Sequence, residues 1–145
     1  MNKNKFNRCA PIAVFCYKRL DHLKLCINSL IKNEEINFSE VYFFCDNYKS
    51  ERDADDVKKV REFVKSVKLP KKNVIFRDTN FGLQKNIVTG IAEVFKNNDK
   101  IIVVEDDLIL SSNFLKYMND SLRSYKNSND VISIHGYCYP NLRIK

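Results

Sequence analysis

The chain has 145 residues, of which 44% are hydrophobic and 30% charged, and a formal net charge of +7. These values predict one soluble globular domain and exclude a disordered or fibrous chain, and the longest apolar runs are too short to span a membrane. The positive charge is spread along the sequence, so we expect solvated basic faces and no nucleic-acid partner, with peripheral association to an anionic membrane face as an open alternative.

Short apolar runs alternate with longer segments of helical period, a rhythm typical of a parallel sheet with helices on both faces. Residues 11–17 predict a strand that is buried on both sides, and the apolar stripe over 20–31 predicts a helix that ends near Asn33. The next strand is predicted at 41–45. A polar loop at 46–53 and a helix with an apolar stripe over 57–67 follow.

A third strand is predicted at 74–76, and residues 79–82 open a helix whose apolar stripe covers 83–95. The fourth strand is predicted at 100–105, and Ser111 or Ser112 is expected to cap a helix over 114–125. A fifth strand is predicted at 131–135. The sequence therefore predicts an α/β fold of three layers, α/β/α, with a mostly parallel sheet.

The carboxyl ends of parallel strands share one edge of the sheet, and open α/β sheets bind ligands just outside that edge. Polar residues stand where these strands are predicted to end: Tyr17, Lys18 and Arg19 after the first, Asp46 after the second, Asn80 and Gly82 near the third, and Glu105, Asp106 and Asp107 after the fourth. We therefore expect a ligand site at this edge.

The sharpest signal at this edge is the acidic trio 105–107, because three neighbouring carboxylates repel one another unless a cation neutralises them. Carboxylate oxygens suit Mg²⁺ or Mn²⁺, which typically take one or two protein carboxylates and complete their shell with water and phosphate oxygens. The trio therefore predicts a metal-diphosphate site. The alternative is a solvated turn, which the position directly after a buried strand disfavours.

Asp46, Lys18 and Arg19 each have two interpretations. Asp46 is suited to accept hydrogen bonds from a base or ribose, or it initiates a turn. Lys18 and Arg19 are suited to balance a diphosphate, or they belong to a loop. Asn80 and Gly82 stand at a helix start, which suits phosphate or sugar hydroxyls.

The five cysteines include no Cys-x-x-Cys pair, which favours buried free thiols over disulfides or a zinc site. Neither His22 nor His135 has a metal-ligand spacing, and His135 is predicted to be structural. The basic N-terminus is not followed by a convincing cleavage site. We therefore expect a cytoplasmic protein, with the inner face of the membrane as a further location.

The order of these features resembles the GT-A glycosyltransferases from Pro11 to about Tyr137. Residues 103–107, Val-Val-Glu-Asp-Asp, are similar to the Asp-x-Asp signature in the form used by N-acetylglucosaminyltransferases and by family 2-like bacterial enzymes. The resemblance implies that Asp107 binds the divalent metal and that Glu105 and Asp106 hold ribose or sugar and water ligands.

Three further segments carry the same resemblance. Residues 11–19 resemble the first strand and its nucleotide-contacting end, which comprises Tyr17, Lys18 and Arg19. Asp46 matches the acid that contacts uracil or ribose, and residues 80–83 resemble the segment that leads into the sugar-nucleotide helix. The resemblance implies a Rossmann-like fold, a nucleoside-diphosphate sugar as donor and a glycan or other hydroxyl group as acceptor.

GT-A enzymes usually continue further and supply the acceptor site and, in inverting members, a carboxylate base. We therefore expect residues 1–145 to form a single donor-binding domain, incomplete at its C-terminus, with the catalytic base beyond Lys145. Two alternatives stay open. One is a regulatory domain of flavodoxin or receiver type, although receivers place their acidic pair after strand one, and the other is a structural remnant that binds nothing.

Overall fold

The structure is a computed structural model that describes residues 9–137. Its elements in chain order are β1 (Ile12–Cys16), α1 (Leu20–Leu30), a 3-10 helix (Glu34–Phe38), β2 (Val41–Cys45), α2 (Glu51–Ser66), β3 (Lys72–Phe76), α3 (Gly82–Phe95), β4 (Ile102–Glu105) and α4 (Phe114–Ser124). The predicted alternation of strands and helices is confirmed up to α4. Within the described range, none of the helices combines the length and apolarity needed to cross a bilayer.

The four strands form one parallel sheet in the order β3-β2-β1-β4. All five residues of β1 are buried, because this strand is central and carries helices on both faces. In the register, Cys16 lies opposite Cys45 and Phe15 lies opposite Glu105. The carboxyl ends of β1, β2 and β4 therefore meet at the same level of the sheet.

Helices cover both faces of the sheet, as the three-layer prediction requires. Residues of α1, α2 and α4, such as Leu23, Val60 and Leu115, pack on one face. Of the described helices, α3 alone packs on the opposite face, where Val94 joins Phe15 and other strand residues. This division follows from right-handed crossovers, since β1, β2 and β3 progress in one direction and the chain then returns to place β4 on the other side of β1.

The predicted fifth strand at 131–135 is wrong, because residues 131–137 have no regular secondary structure. Ile132 is 99% exposed, whereas Ile134 packs against the core without being part of a strand. The predicted caps of the fourth helix are also wrong. This helix begins at Phe114 after Asn113, without a side-chain cap, and Ser111 contributes only its carbonyl, 3.1 Å from the Phe114 amide.

Candidate functional site

A pocket of about 400 Å³ lies at the carboxyl ends of β1, β2 and β4. Its wall includes predicted site residues from every segment that the sequence singled out: Tyr17, Lys18, Arg19, Asp46, Asn80, Gly82, Glu105 and Asp106. Asp107 is not part of this wall, but it forms an ion pair with Arg19, which is a residue of the wall. The structure thus brings together residues that are up to about ninety positions apart in the sequence, as β1 and β4 are neighbours.

The position of the pocket follows from the topology of the sheet. The strand order reverses between β1 and β4, so the helix that follows β1 and the helix that precedes β4 lie on opposite faces. A crevice opens at such a switch point, outside the carboxyl ends of the two strands. The N-cap residue of α1, Arg19, and the end of β4 border this crevice.

Asp106 and Asp107 share a single cationic partner. Asp106 is 3% exposed, accepts a hydrogen bond from the Tyr17 amide at 3.4 Å, and is paired with the Arg19 guanidinium. Asp107 is more exposed, and its Oδ2 lies 3.0 Å from Nη1 of Arg19. The guanidinium of Arg19 therefore bridges the two carboxylates and connects the end of β4 to the beginning of α1.

Glu105 differs from the two aspartates that follow it. It is the last residue of β4 and lies opposite Phe15, so its side chain faces the α3 side of the sheet. It lines the pocket, and its carboxylate makes no hydrogen bond or ion pair with another residue of the described range. Glu105 thus presents a free carboxylate to a ligand.

Asp46 uses its carboxylate to hold the start of α3. Oδ1 accepts hydrogen bonds from the amides of Asn47 and Phe81 at 2.9 and 2.8 Å. Oδ2 accepts from the Gly82 amide at 2.9 Å and from the Asn80 side chain at 3.2 Å. A carboxylate has about four acceptor sites, so these bonds occupy it. Asp46 thus has a structural role at the start of α3. Its predicted contact with a base or ribose stays a prediction.

Tyr17 and Lys18 are held by Asp53, a residue that the sequence analysis missed. The Tyr17 hydroxyl donates to Asp53 at 2.9 Å and accepts from the Lys49 amide, and the Lys18 ammonium lies 2.7 Å from the same carboxylate. Hydrogen bonds from Lys18 and Tyr17 lower the pKa of Asp53. These contacts dock the start of α2 on the rim of the pocket. The feature of the sequence that could have indicated this role of Asp53 is its position as an acidic residue in the first turn of a helix.

Arg77 was also missed, and it supports the pocket from behind. Its guanidinium is buried and binds Asn86 at 2.9 Å, Glu93 at 2.7 Å and Thr89 at 3.2 Å. These three partners all belong to α3, and Asn86 lines the pocket. Arg77 therefore anchors α3 to the end of β3 and does not face a ligand. The feature of the sequence that could have indicated this role is the series of polar residues, Asn86, Thr89 and Glu93, at helical spacing in an otherwise apolar segment.

The thiols near the site, those of Cys16, Cys26 and Cys45, are free and buried, as predicted. The Sγ atoms of Cys16 and Cys45 lie 3.2 Å apart, and this contact together with burial raises the pKa of Cys16. Burial raises the pKa of Cys26 to about 12. Cys9 is half-buried, and Cys138 lies outside the described residues. The raised pKa values keep Cys16 and Cys26 in the thiol form at neutral pH, in which they are neither nucleophiles nor metal ligands.

The carboxylates of Asp106 and Asp107 are the groups that fit a divalent cation. Within residues 9–137, no three His, Cys, Asp or Glu side chains are grouped closely enough to hold a metal ion by themselves. The two aspartates already form ion pairs with the Arg19 guanidinium at the sheet edge. Carboxylate oxygens are hard ligands, which suit Mg²⁺ or Mn²⁺. His135 is on the exposed segment 131–137 and is not part of the pocket wall.

The parallel sheet and its reversal between β1 and β4 are those of a Rossmann-like α/β domain and are consistent with the GT-A fold. The sequence model of glycosyl transferase family 2 matches residues 12–145. The chain belongs to this family, which implies sugar transfer from a nucleotide-sugar donor to an acceptor. A comparison with curated proteins gives no match. Family membership decides against the receiver-like alternative.

Proposed function

We propose that the pocket binds a nucleoside-diphosphate sugar together with Mn²⁺ or Mg²⁺, and that the sugar is transferred to a glycan or another hydroxyl acceptor. The observation that carries this proposal is the meeting of Asp106 with Lys18 and Asp46 in one pocket, next to Asp107. The volume of the pocket, about 400 Å³, is in the range of small-molecule sites, which is roughly 300–1,000 Å³. We further propose that the domain acts in the cytoplasm, where its basic surface favours the anionic inner face of the membrane.

Asp107 is the proposed metal ligand, because its carboxylate is accessible and its ion-pair partner among the described residues is Arg19. Asp106 is buried and orients this edge through the Tyr17 amide. A bound divalent ion would act as a Lewis acid that stabilises the charge on the departing diphosphate. Few protein ligands are required, since phosphate and water oxygens complete the shell of such an ion.

The remaining residues of the pocket are proposed to position the donor. The free carboxylate of Glu105 is suited to accept hydrogen bonds from ribose or sugar hydroxyls. Arg19 and Lys18 supply positive charge for the diphosphate. Asn80 and Gly82 form the wall next to the exposed side chain of Leu83, so that polar and apolar parts of a nucleotide sugar both meet a matching surface.

Calorimetry tests this proposal directly. Uridine- and guanosine-diphosphate sugars are titrated into the protein with Mn²⁺, with Mg²⁺ and with chelator. We expect donor binding to require the metal, and Asp107→Asn to weaken it by more than about tenfold, because even outer-shell partners of metals contribute that much. Since Asp107 is at the surface, circular dichroism and the melting temperature should be unchanged.

Asp120→Asn is the matched control, because Asp120 is an exposed aspartate on α4 that pairs with Lys116 and Arg123. This variant removes the same charge and should bind the donor like the wild type. The proposal is wrong if the folded wild type binds none of these donors with either metal. It is also wrong if Asp107→Asn retains full metal-dependent binding.

A further inference from the structure

Arg19 pairs with both Asp106 and Asp107, and Asp107 is the residue proposed to bind the metal. Its Nη2 pairs with Oδ1 of Asp106, and its Nη1 lies 3.0 Å from Oδ2 of Asp107. The two side chains it joins differ strongly in accessibility, since Asp106 is 4% and Asp107 42% exposed. A planar fork with two donors is the geometry that permits such a bridge.

Burial makes this bridge necessary in the absence of another cation. A buried carboxylate is unfavourable unless a charge or hydrogen bonds compensate it. The other donor to Asp106 is the Tyr17 amide, at the long distance of 3.4 Å. Arg19 therefore provides most of the compensation that Asp106 receives from the described residues.

We propose that Arg19 is an internal counter-ion that occupies the acidic pair in the ligand-free protein, releases Asp107 to the incoming metal and then binds the diphosphate. This inference rests on the proposed function. The guanidinium and a divalent ion repel each other and compete for the carboxylate oxygens of Asp107, so Arg19 cannot keep this contact when the ion binds there. Arg19 lines the pocket and is 47% exposed, which leaves it room to turn toward phosphate.

Lys18 is not suited to this exchange, although it is adjacent in sequence. Its ammonium is fixed by Asp53, 2.7 Å away, which in turn binds the Tyr17 hydroxyl. Arg19 is thus the basic residue of the pair that contacts the acidic residues after β4. Two consequences follow: metal alone binds weakly because it must displace Arg19, and nucleoside diphosphate strengthens metal binding because it receives the displaced guanidinium.

The test measures free Mn²⁺ by electron paramagnetic resonance, in which the hexaaqua ion gives the signal, with and without uridine or guanosine diphosphate. Arg19→Gln should bind Mn²⁺ alone about fivefold more tightly than the wild type, the scale of one partly exposed ion pair. The strengthening of Mn²⁺ binding by nucleoside diphosphate should fall by about tenfold, and Arg19→Lys should restore part of it.

Arg123→Gln is the control, because it removes the same charge from another exposed pair with an aspartate, Asp120. It should leave both quantities unchanged. Structural damage does not tighten metal binding, so the gain of affinity separates the proposed role from misfolding. If Arg19→Gln binds Mn²⁺ no more tightly than the wild type, the counter-ion role is wrong while metal-dependent donor binding stands. If the wild type binds no Mn²⁺ with either nucleotide, the proposed function fails and this inference with it.

Discussion

Two buried aspartates connect separate elements at the rim of the pocket. Asp46 joins the end of β2 to the start of α3, and Asp106 joins the end of β4 to the end of β1 and the start of α1. Each has lost most of its hydration and therefore depends on donors from another element. At the residue scale, the shape of the pocket and the stability of the fold thus rest on the same side chains.

Asp46→Asn tests this dependence. One carboxylate oxygen is replaced by an NH₂ group, which cannot accept the backbone hydrogen bonds that Asp46 receives from Phe81 or Gly82. The loss of a charged acceptor and the donors left without a partner should lower the free energy of unfolding by about 2–4 kcal/mol. Urea denaturation followed by circular dichroism measures this change.

Asp78→Asn is the comparison for that experiment, because Asp78 also follows a strand but is exposed. We expect a change within about 0.5 kcal/mol for this variant. Equal stability of Asp46→Asn and Asp78→Asn would contradict the anchoring role of Asp46 at the start of α3.

At the scale of elements, α3 lies unusually close to the sheet at Gly90. A Cβ atom on this residue would stand 2.6 Å from Cε1 of Phe15 and 3.1 Å from Cδ2 of Phe44. The two rings are stacked, with centroids 5.1 Å apart, so neither has free space on the side of its neighbour. The absence of a side chain at Gly90 therefore sets how closely α3 approaches β1 and β2.

Gly90→Ala should consequently destabilise the protein, although alanine is the better helix former. The helix propensity favours the variant by about 1 kcal/mol, whereas overpacking of a core contact costs about 1–3 kcal/mol. We expect a net loss of about 1–2 kcal/mol in urea denaturation, because backbone or ring must shift by several tenths of an ångström. A variant more stable than the wild type would show that α3 stands farther from the sheet.

The sequence predicted the four strands and four helices well because each has a strong apolar period of its own. The continuous apolar run of β1 and the stripe of α1 are local signals that burial then confirms. Boundaries were weaker, since α2 begins at Glu51 inside the predicted loop. The 3-10 helix Glu34–Phe38 was not predicted, because it contributes only Ile36 to the core and has no periodic pattern.

Whether residues 131–135 form a strand could not be decided from the sequence, because a strand requires the edge of another strand to pair with as well as a suitable apolar pattern. The same limit applies to the site. The order of strand ends predicted which residues share the pocket, yet the partners of Asp46 and Arg19 depend on distances between elements remote in sequence. Arg77 illustrates this limit, since it follows β3 but its partners lie on α3, ten or more positions away in most cases.

For the whole molecule, the parallel order β3-β2-β1-β4 places the most deeply buried strands, β1 and β2, at the centre of the sheet. β1 and β2 each pair with strands on both sides, and their residues Val14, Phe43 and Phe44 are fully buried. Within residues 9–137, β4 pairs only with β1, and Val103 on this strand is 36% exposed. The site is therefore built between a well-protected strand and an edge strand.

Hydrogen exchange followed by mass spectrometry should reproduce this gradient. Amides of β1 (Ile12–Cys16) and β2 (Val41–Cys45) should exchange only on global unfolding, whereas those of β4 (Ile102–Glu105) should exchange more than about tenfold faster, because edge strands open locally. Slow exchange in β4, equal to that of β1, would contradict this and would show that another segment or partner covers the outer edge of β4. Donor and metal should then slow exchange at the end of β4 selectively, since binding stabilises the elements that form the site.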